Sequence, residues 1–182
     1  MRISALLCAA AFAAACAPGS GRVTTSSQAP STRVKALAIA TVRGAGGRGP
    51  DVARALAKRL EAGGFRATAL EDSDSVLAGS VLDLDVAANP RVLAEIARAT
   101  GADAVVFLTM DDGWKTLDVA VLNLAGGDPL LRATARPRGA VFATADDAAA
   151  GAAEALAPLS PDRARARAAA RPGGGLDDLP EP

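Results

Sequence analysis

The chain has 182 residues, half of them hydrophobic, with 20 basic and 20 acidic side chains and no formal net charge. That length holds one domain of ordinary size plus terminal segments, and the balanced charge lacks the basic excess that a nucleic-acid partner requires. With no histidine, no tyrosine and a single tryptophan, Trp114, imidazole metal sites and histidine-based triads are excluded, and so is an aromatic platform for stacked bases.

The first segment is a leader. Arg2 supplies a positive start, Ile3 to Ala15 form an alanine-dominated apolar stretch, and the apolar pattern stops at Ala17-Pro18-Gly19-Ser20. This is the layout of an export signal, and the apolar run is too short for a membrane span, which needs about 20 residues. Phe12-Ala13-Ala14-Ala15-Cys16 resembles the bacterial lipoprotein box, with Ala13 where that box usually carries Leu. The resemblance implies that residues 1–15 are removed as a signal peptide and that Cys16 is the lipidation site, carrying a palmitate-type acyl group. Ala17 in place of Asp after the cysteine resembles lipoproteins sent to the outer membrane, on its periplasmic face. The alternative is ordinary secretion to the periplasm with cleavage after one of the alanines. Cys8 is a weaker candidate, because Leu7 stands where a small residue is needed. Cys16 is the last cysteine in the chain, so a mature chain beginning there holds no intrachain disulfide.

Residues 16–33 carry the lipidated cysteine and a stretch rich in Ser, Thr, Pro and Gly, which predicts a flexible tether reaching roughly 20–25 Å. Order is expected from Val34. Val34 to Val42 is short and apolar and predicts a first strand. A glycine-rich loop follows, Gly44 to Gly49, and Pro50 then stands at a first helical position. Val52, Leu56 and Leu60 recur every four residues and mark a first helix, closed by Gly63-Gly64. Phe65 to Leu70 predicts a second strand, and Ser73 to Ala78 a short helix. Asn89-Pro90 is a cap followed by a first-turn proline; it opens a helix with Val92, Leu93, Ile96 and Ala97 on one face, stopped by Gly101. Ala102 to Met110 is almost wholly apolar, as a central strand is. Asp111-Asp112-Gly113 is a turn. Trp114 to Leu124 alternates and predicts a strand with one wet face. Pro129 to Pro137 predicts a further strand with proline at its first residue. Thr144 with Asp147 has the spacing of a capping box and opens a last helix reaching about Ala157. Residues 159–182 are dominated by Arg, Ala, Pro and Gly and are expected to form a disordered tail, with a basic half (Arg163, Arg165, Arg167, Arg171) and an acidic end.

The order is β-α-β-(α)-α-β-β-β-α. Strands joined through helices are expected to be parallel and strands joined by tight turns antiparallel. The expectation is a single α/β domain over residues 34–158, with one mixed parallel/antiparallel sheet of about five strands flanked by helices.

Gly44-Ala45-Gly46-Gly47-Arg48-Gly49 fits G-x-G-x-x-G after a strand and before a helix, with Glu71 ending the next strand. Glycines in such a loop let a backbone approach a pyrophosphate. Against this reading, the unit is longer than the ~30 residues of a dinucleotide fingerprint, and the hairpins that follow leave no room for further parallel strands. A small-ligand or nucleotide site at this loop is therefore the alternative reading. Asp111 and Asp112 read as turn residues. Glu71, Asp72, Asp74, Asp83 and Asp85 lack the spacing of a calcium loop and read as a solvated loop. Trp114 either covers one end of the core or anchors a contact. No catalytic residue, cofactor or metal is expected.

The strings "GGFRATALED", "VLAEIARATGADAVVFLTM" and "LDVAVLNLAGGDPLLRATA" together resemble a group of bacterial envelope proteins: the curli-secretion lipoprotein, the penicillin-binding-protein activator lipoprotein and the amino-terminal domain of the Tol-system propeller protein. The resemblance spans about residues 34–158. It implies a non-catalytic interaction or assembly module that binds an envelope protein partner or further copies of itself, with no enzymatic activity. The chain departs from the group in having no long amphipathic hairpins, a short tether and no propeller after the domain.

Overall fold

In a computed structural model, the structure describes residues 24–25 and 34–160, apart from Gly79, Val81, Asp83 and residues 85–88. The elements are β1 (Thr24–Thr25), β2 (Ala36–Ile39), α1 (Gly49–Ala62), β3 (Arg66–Ala69), α2 (Pro90–Thr100), β4 (Ala104–Met110), β5 (Leu117–Asn123), β6 (Pro129–Ala135) and α3 (Ala145–Leu156). They form one mixed sheet in the order β1-β6-β5-β4-β2-β3. Strand β2 pairs in parallel with β3 and β4, whereas β4–β5, β5–β6 and β6–β1 are antiparallel. The α/β architecture and the division into a parallel and an antiparallel half are as the connections require: helix crossovers return a strand in the same direction, and tight turns reverse it.

Alternation along each strand sorts the core into two layers. Leu37 and Ile39 of β2, Val106 and Leu108 of β4, Val119 and Val121 of β5 and Leu131 and Ala133 of β6 face α1 and α3. Ala38, Val105, Phe107 and Leu122 face the other way, toward Leu93 and Ile96 of α2. Helix α1 lays down Val52, Ala53, Leu56 and Leu60. Helix α3 buries Ala148, Ala149, Gly151, Ala152 and Ala155. Side chains this small let it settle close to the sheet: a Cβ on Gly151 would stand 3.2 Å from the Phe142 ring and 3.3 Å from the Ala135 Cβ.

The helix ends carry their own signals. The Asn89 side chain accepts the Arg91 N–H, and Gly101 closes α2 in the left-handed conformation, where glycine has no Cβ penalty. Thr144 and Asp147 form a reciprocal capping box at the start of α3, and the Arg59 guanidinium of α1 pairs with Asp146 in the first turn of α3.

Two local expectations are corrected. Ser73 to Ala78 does not form a helix; a 3-10 turn at Leu70–Asp72 leads into further turns. The Ser73 hydroxyl donates to the Leu70 carbonyl, and the Ser75 hydroxyl accepts the Leu77 N–H. Serines that bond nearby backbone in this way compete with helix. Within residues 16–33, expected to be an unpaired tether, Thr24 and Thr25 pair with Thr134 and Ala133 of β6. The open edge of β6 presents unpaired backbone groups, and threonine suits a strand. The leader, Cys16 and the tail lie outside the described residues.

Candidate functional site

The chain leaves β2 without leaving its neighbour. The Ala40 N–H donates to the Val106 carbonyl (3.0 Å), the Arg43 N–H to the Leu108 carbonyl (2.9 Å) and the Met110 N–H to the Arg43 carbonyl (2.8 Å). The glycine-rich loop is thus tied along β4 before it turns. Gly44 has φ +78°, and a Cβ there would lie 2.0 Å from the Met110 carbonyl oxygen; one on Gly49 would lie 2.9 Å from the Val42 carbonyl oxygen. Only glycine permits both approaches. Open α/β sheets take ligands in the crevice at the carboxyl ends of strands where the order reverses. Here that crevice, between β2 and β4, holds the loop's own backbone. Gly46 and Gly47, at the tip, face open space.

Trp114 joins three segments. Its backbone has φ +55°, its N–H donates to the Asp111 carbonyl (3.0 Å) and its carbonyl accepts the Phe142 N–H (2.7 Å). Its ring is partly buried against the α1/α3 core layer and the Arg48 guanidinium lies 5.3 Å from the ring centroid, within cation–π range. Trp114 therefore closes one end of the core. Asp111 is a turn residue: its carboxylate accepts the Lys115 and Thr116 N–H groups at 2.6 and 3.0 Å.

In the acidic stretch after β3, Glu71 and Asp72 both lie against the Arg54 guanidinium. Glu71 accepts the Thr41 hydroxyl at 2.9 Å, and Asp72 accepts the Arg54 guanidinium at 3.0 Å. Asp74 is exposed, and Asp83 and Asp85 lie outside the described residues. Among the described residues no group of three or more acidic or cysteine side chains is arranged to hold a metal. The turn at Ser75–Val76 is pinned instead by Glu95 of α2, whose carboxylate accepts the Ser75 hydroxyl (3.3 Å) and the Val76 N–H (3.4 Å). The Arg98 guanidinium bonded to Glu95 lowers the carboxyl to about 2, with smaller help from the Val76 N–H and the Ser75 hydroxyl and against the effect of burial.

A cleft of about 380 Å³ opens on the α2 side of the sheet, over β4, β5 and β6. Helix α2 covers the β2–β4 half of this face and leaves the rest open. Phe107, Leu82 and Leu84 form its apolar floor and wall; Arg43, Asp118 and Arg132 supply its charge. Asp118 and Thr134 stand opposite each other in register, and the Thr134 hydroxyl donates to Asp118 at 2.6 Å. The wet face expected of β5 was legible in its alternation. The cleft was not, because it also needs Leu82 and Leu84 to cross from the β3 edge. The signal that existed was three polar positions, Thr109, Asp118 and Arg132, on one face of three successive strands.

No protein-family model matches the chain, and no curated protein matches it. Solved structures do. A PelC dodecamer from Paraburkholderia phytofirmans, carrying a single Leu-to-Met substitution, shares the fold with a TM-score of 0.53 at 17% identity, over 77% of this chain and 98% of that one. A second PelC dodecamer from the same organism matches with a TM-score of 0.50 at 17% identity, over 76% and 96%. The likeness covers the domain and concerns its fold, one that occurs in those structures as a twelve-copy assembly.

Proposed function

We propose that this chain is a non-catalytic envelope lipoprotein, held by acylated Cys16 on the periplasmic face of the outer membrane, and that its α/β domain works as an assembly module joining copies of itself or an envelope protein partner. The observation that carries the reading is the match of nearly the whole PelC fold, in a dodecamer, to the domain of this chain. The leader and Cys16 add the membrane address, since a bacterial-type multiply acylated cysteine holds a protein firmly where one chain would not. The crevice filled by the Gly44 loop favours protein contact over chemistry. Two measurements test the reading. Cells fed a palmitate analogue are expected to label the protein and to lose the label in Cys16→Ser; label that persists in that variant overturns the anchor. Native mass spectrometry of the mature chain as Cys16→Ser is expected to show species of several copies.

The alternative, a small-ligand or nucleotide site at Gly44–Gly49, is favoured by one feature: the open tip at Gly46 and Gly47 ahead of α1. Saturable binding of a nucleotide or phosphate compound that is lost in Gly46→Trp would support it over the first reading.

A further inference from the structure

Val76 is 84% exposed, the most exposed large apolar side chain among the described residues. It stands on the turn that Glu95 of α2 pins, close to exposed Asp74. The cleft over β4–β6 has the complementary make-up: an apolar floor of Phe107 and Leu82, and Arg132 exposed at its rim. Its acid, Asp118, is already engaged by the Thr134 hydroxyl. With Glu95 of α2 holding the turn and Val76 left exposed, the turn does not fill the cleft of its own copy. It is also preorganised, because Glu95 fixes both Ser75 and Val76, so little freedom is lost on docking.

We propose that the Asp74–Val76 turn of one copy seats in the β4–β6 cleft of the next, a head-to-tail contact between different surfaces of the same chain. Such contacts are heterologous and close into rings or run on into filaments, whereas a contact of one patch with itself stops at two copies. The inference rests on the self-assembly reading above and names the surfaces it uses.

The test uses the mature chain, residues 16–182, as Cys16→Ser, with size read by sedimentation velocity and native mass spectrometry. Val76→Glu and Arg132→Glu change exposed side chains, so each variant is expected to keep the parent's circular dichroism and thermal midpoint. Each is expected to weaken assembly by about tenfold or more: Arg132→Glu reverses a charge in the contact, and Val76→Glu sets a charged group against the apolar floor of Phe107 and Leu82. Mixing the two is the sharper arm. A Val76→Glu copy keeps a sound cleft and an Arg132→Glu copy keeps a sound turn, so the mixture is expected to form one-to-one pairs and nothing larger. Variants that both assemble as the parent does, or a parent that stops at a dimer, overturn the proposed contact and leave self-assembly standing. A parent that is monomeric at every concentration overturns the self-assembly reading, and this inference with it.

Discussion

A methyl group on Gly44 would collide with the Met110 carbonyl oxygen, and the residue's positive φ adds backbone strain to the collision. Gly44→Ala is therefore expected to destabilise the domain by about 2–4 kcal/mol, combining overpacking with a left-handed alanine. Gly47, which has open space and no positive φ, serves as the comparison: Gly47→Ala is expected to stay within about 0.5 kcal/mol of the parent. Urea midpoints of the two variants check this, and equal midpoints would mean that the loop is not packed on β4. The contrast bears on how the motif is read. Six residues that fit a phosphate-binding pattern contain two glycines, Gly44 and Gly49, whose presence is accounted for by close approach to backbone. A motif lists residue types and cannot say whether the partner of a bare Cα is a ligand or the next strand.

Among the elements, those bounded by side-chain-to-backbone chemistry were the most legible. Asn89 and Pro90, Gly101, Thr144 and Asp147 mark helix ends through local bonds that need no knowledge of the rest of the chain. Thr144→Ala is expected to cost about 1 kcal/mol, the usual loss for a cap, seen as a lowered thermal midpoint; Asp147→Ala in the same background should add less than its separate cost, since the two residues bond each other. Residues 73–78 show the converse. Serines in sequence are compatible with a helix start or with hydroxyl-bonded turns, and here Glu95, 20 positions away, accepts the Ser75 hydroxyl and holds the turn. The short edge strand β1 was missed for a related reason. Thr24 and Thr25 offer no apolar periodicity, and what draws them into the sheet is the open edge of β6.

At the scale of the whole molecule, the type of connection separated the parallel from the antiparallel half, but the strand order, with β2 between β3 and β4, was not read from the sequence. The cleft was out of reach, because its lining comes from segments that meet only once Leu82 and Leu84 cross the face. Trp114 sits where the loop before α1, the β4–β5 turn and Phe142 meet. Its fluorescence therefore reports on both halves of the sheet at once. Denaturant unfolding followed by that fluorescence and by far-ultraviolet circular dichroism is expected to give coincident curves, as for a single cooperative domain; separated midpoints would mean that the antiparallel half opens by itself.

The pairing of Thr24 and Thr25 with β6 gives the proposed anchor a leash of two lengths. With the lipid on Cys16, as proposed, the stretch to Thr24 spans no more than roughly 28 Å when fully extended, and the stretch to Val34 roughly 63 Å. While the two threonines are latched, the domain is held at the β6 edge on the short length. A pull from the bilayer would be borne first by that two-residue splice. Its release would pay out the remaining chain and more than double the reach while every other strand stayed in place.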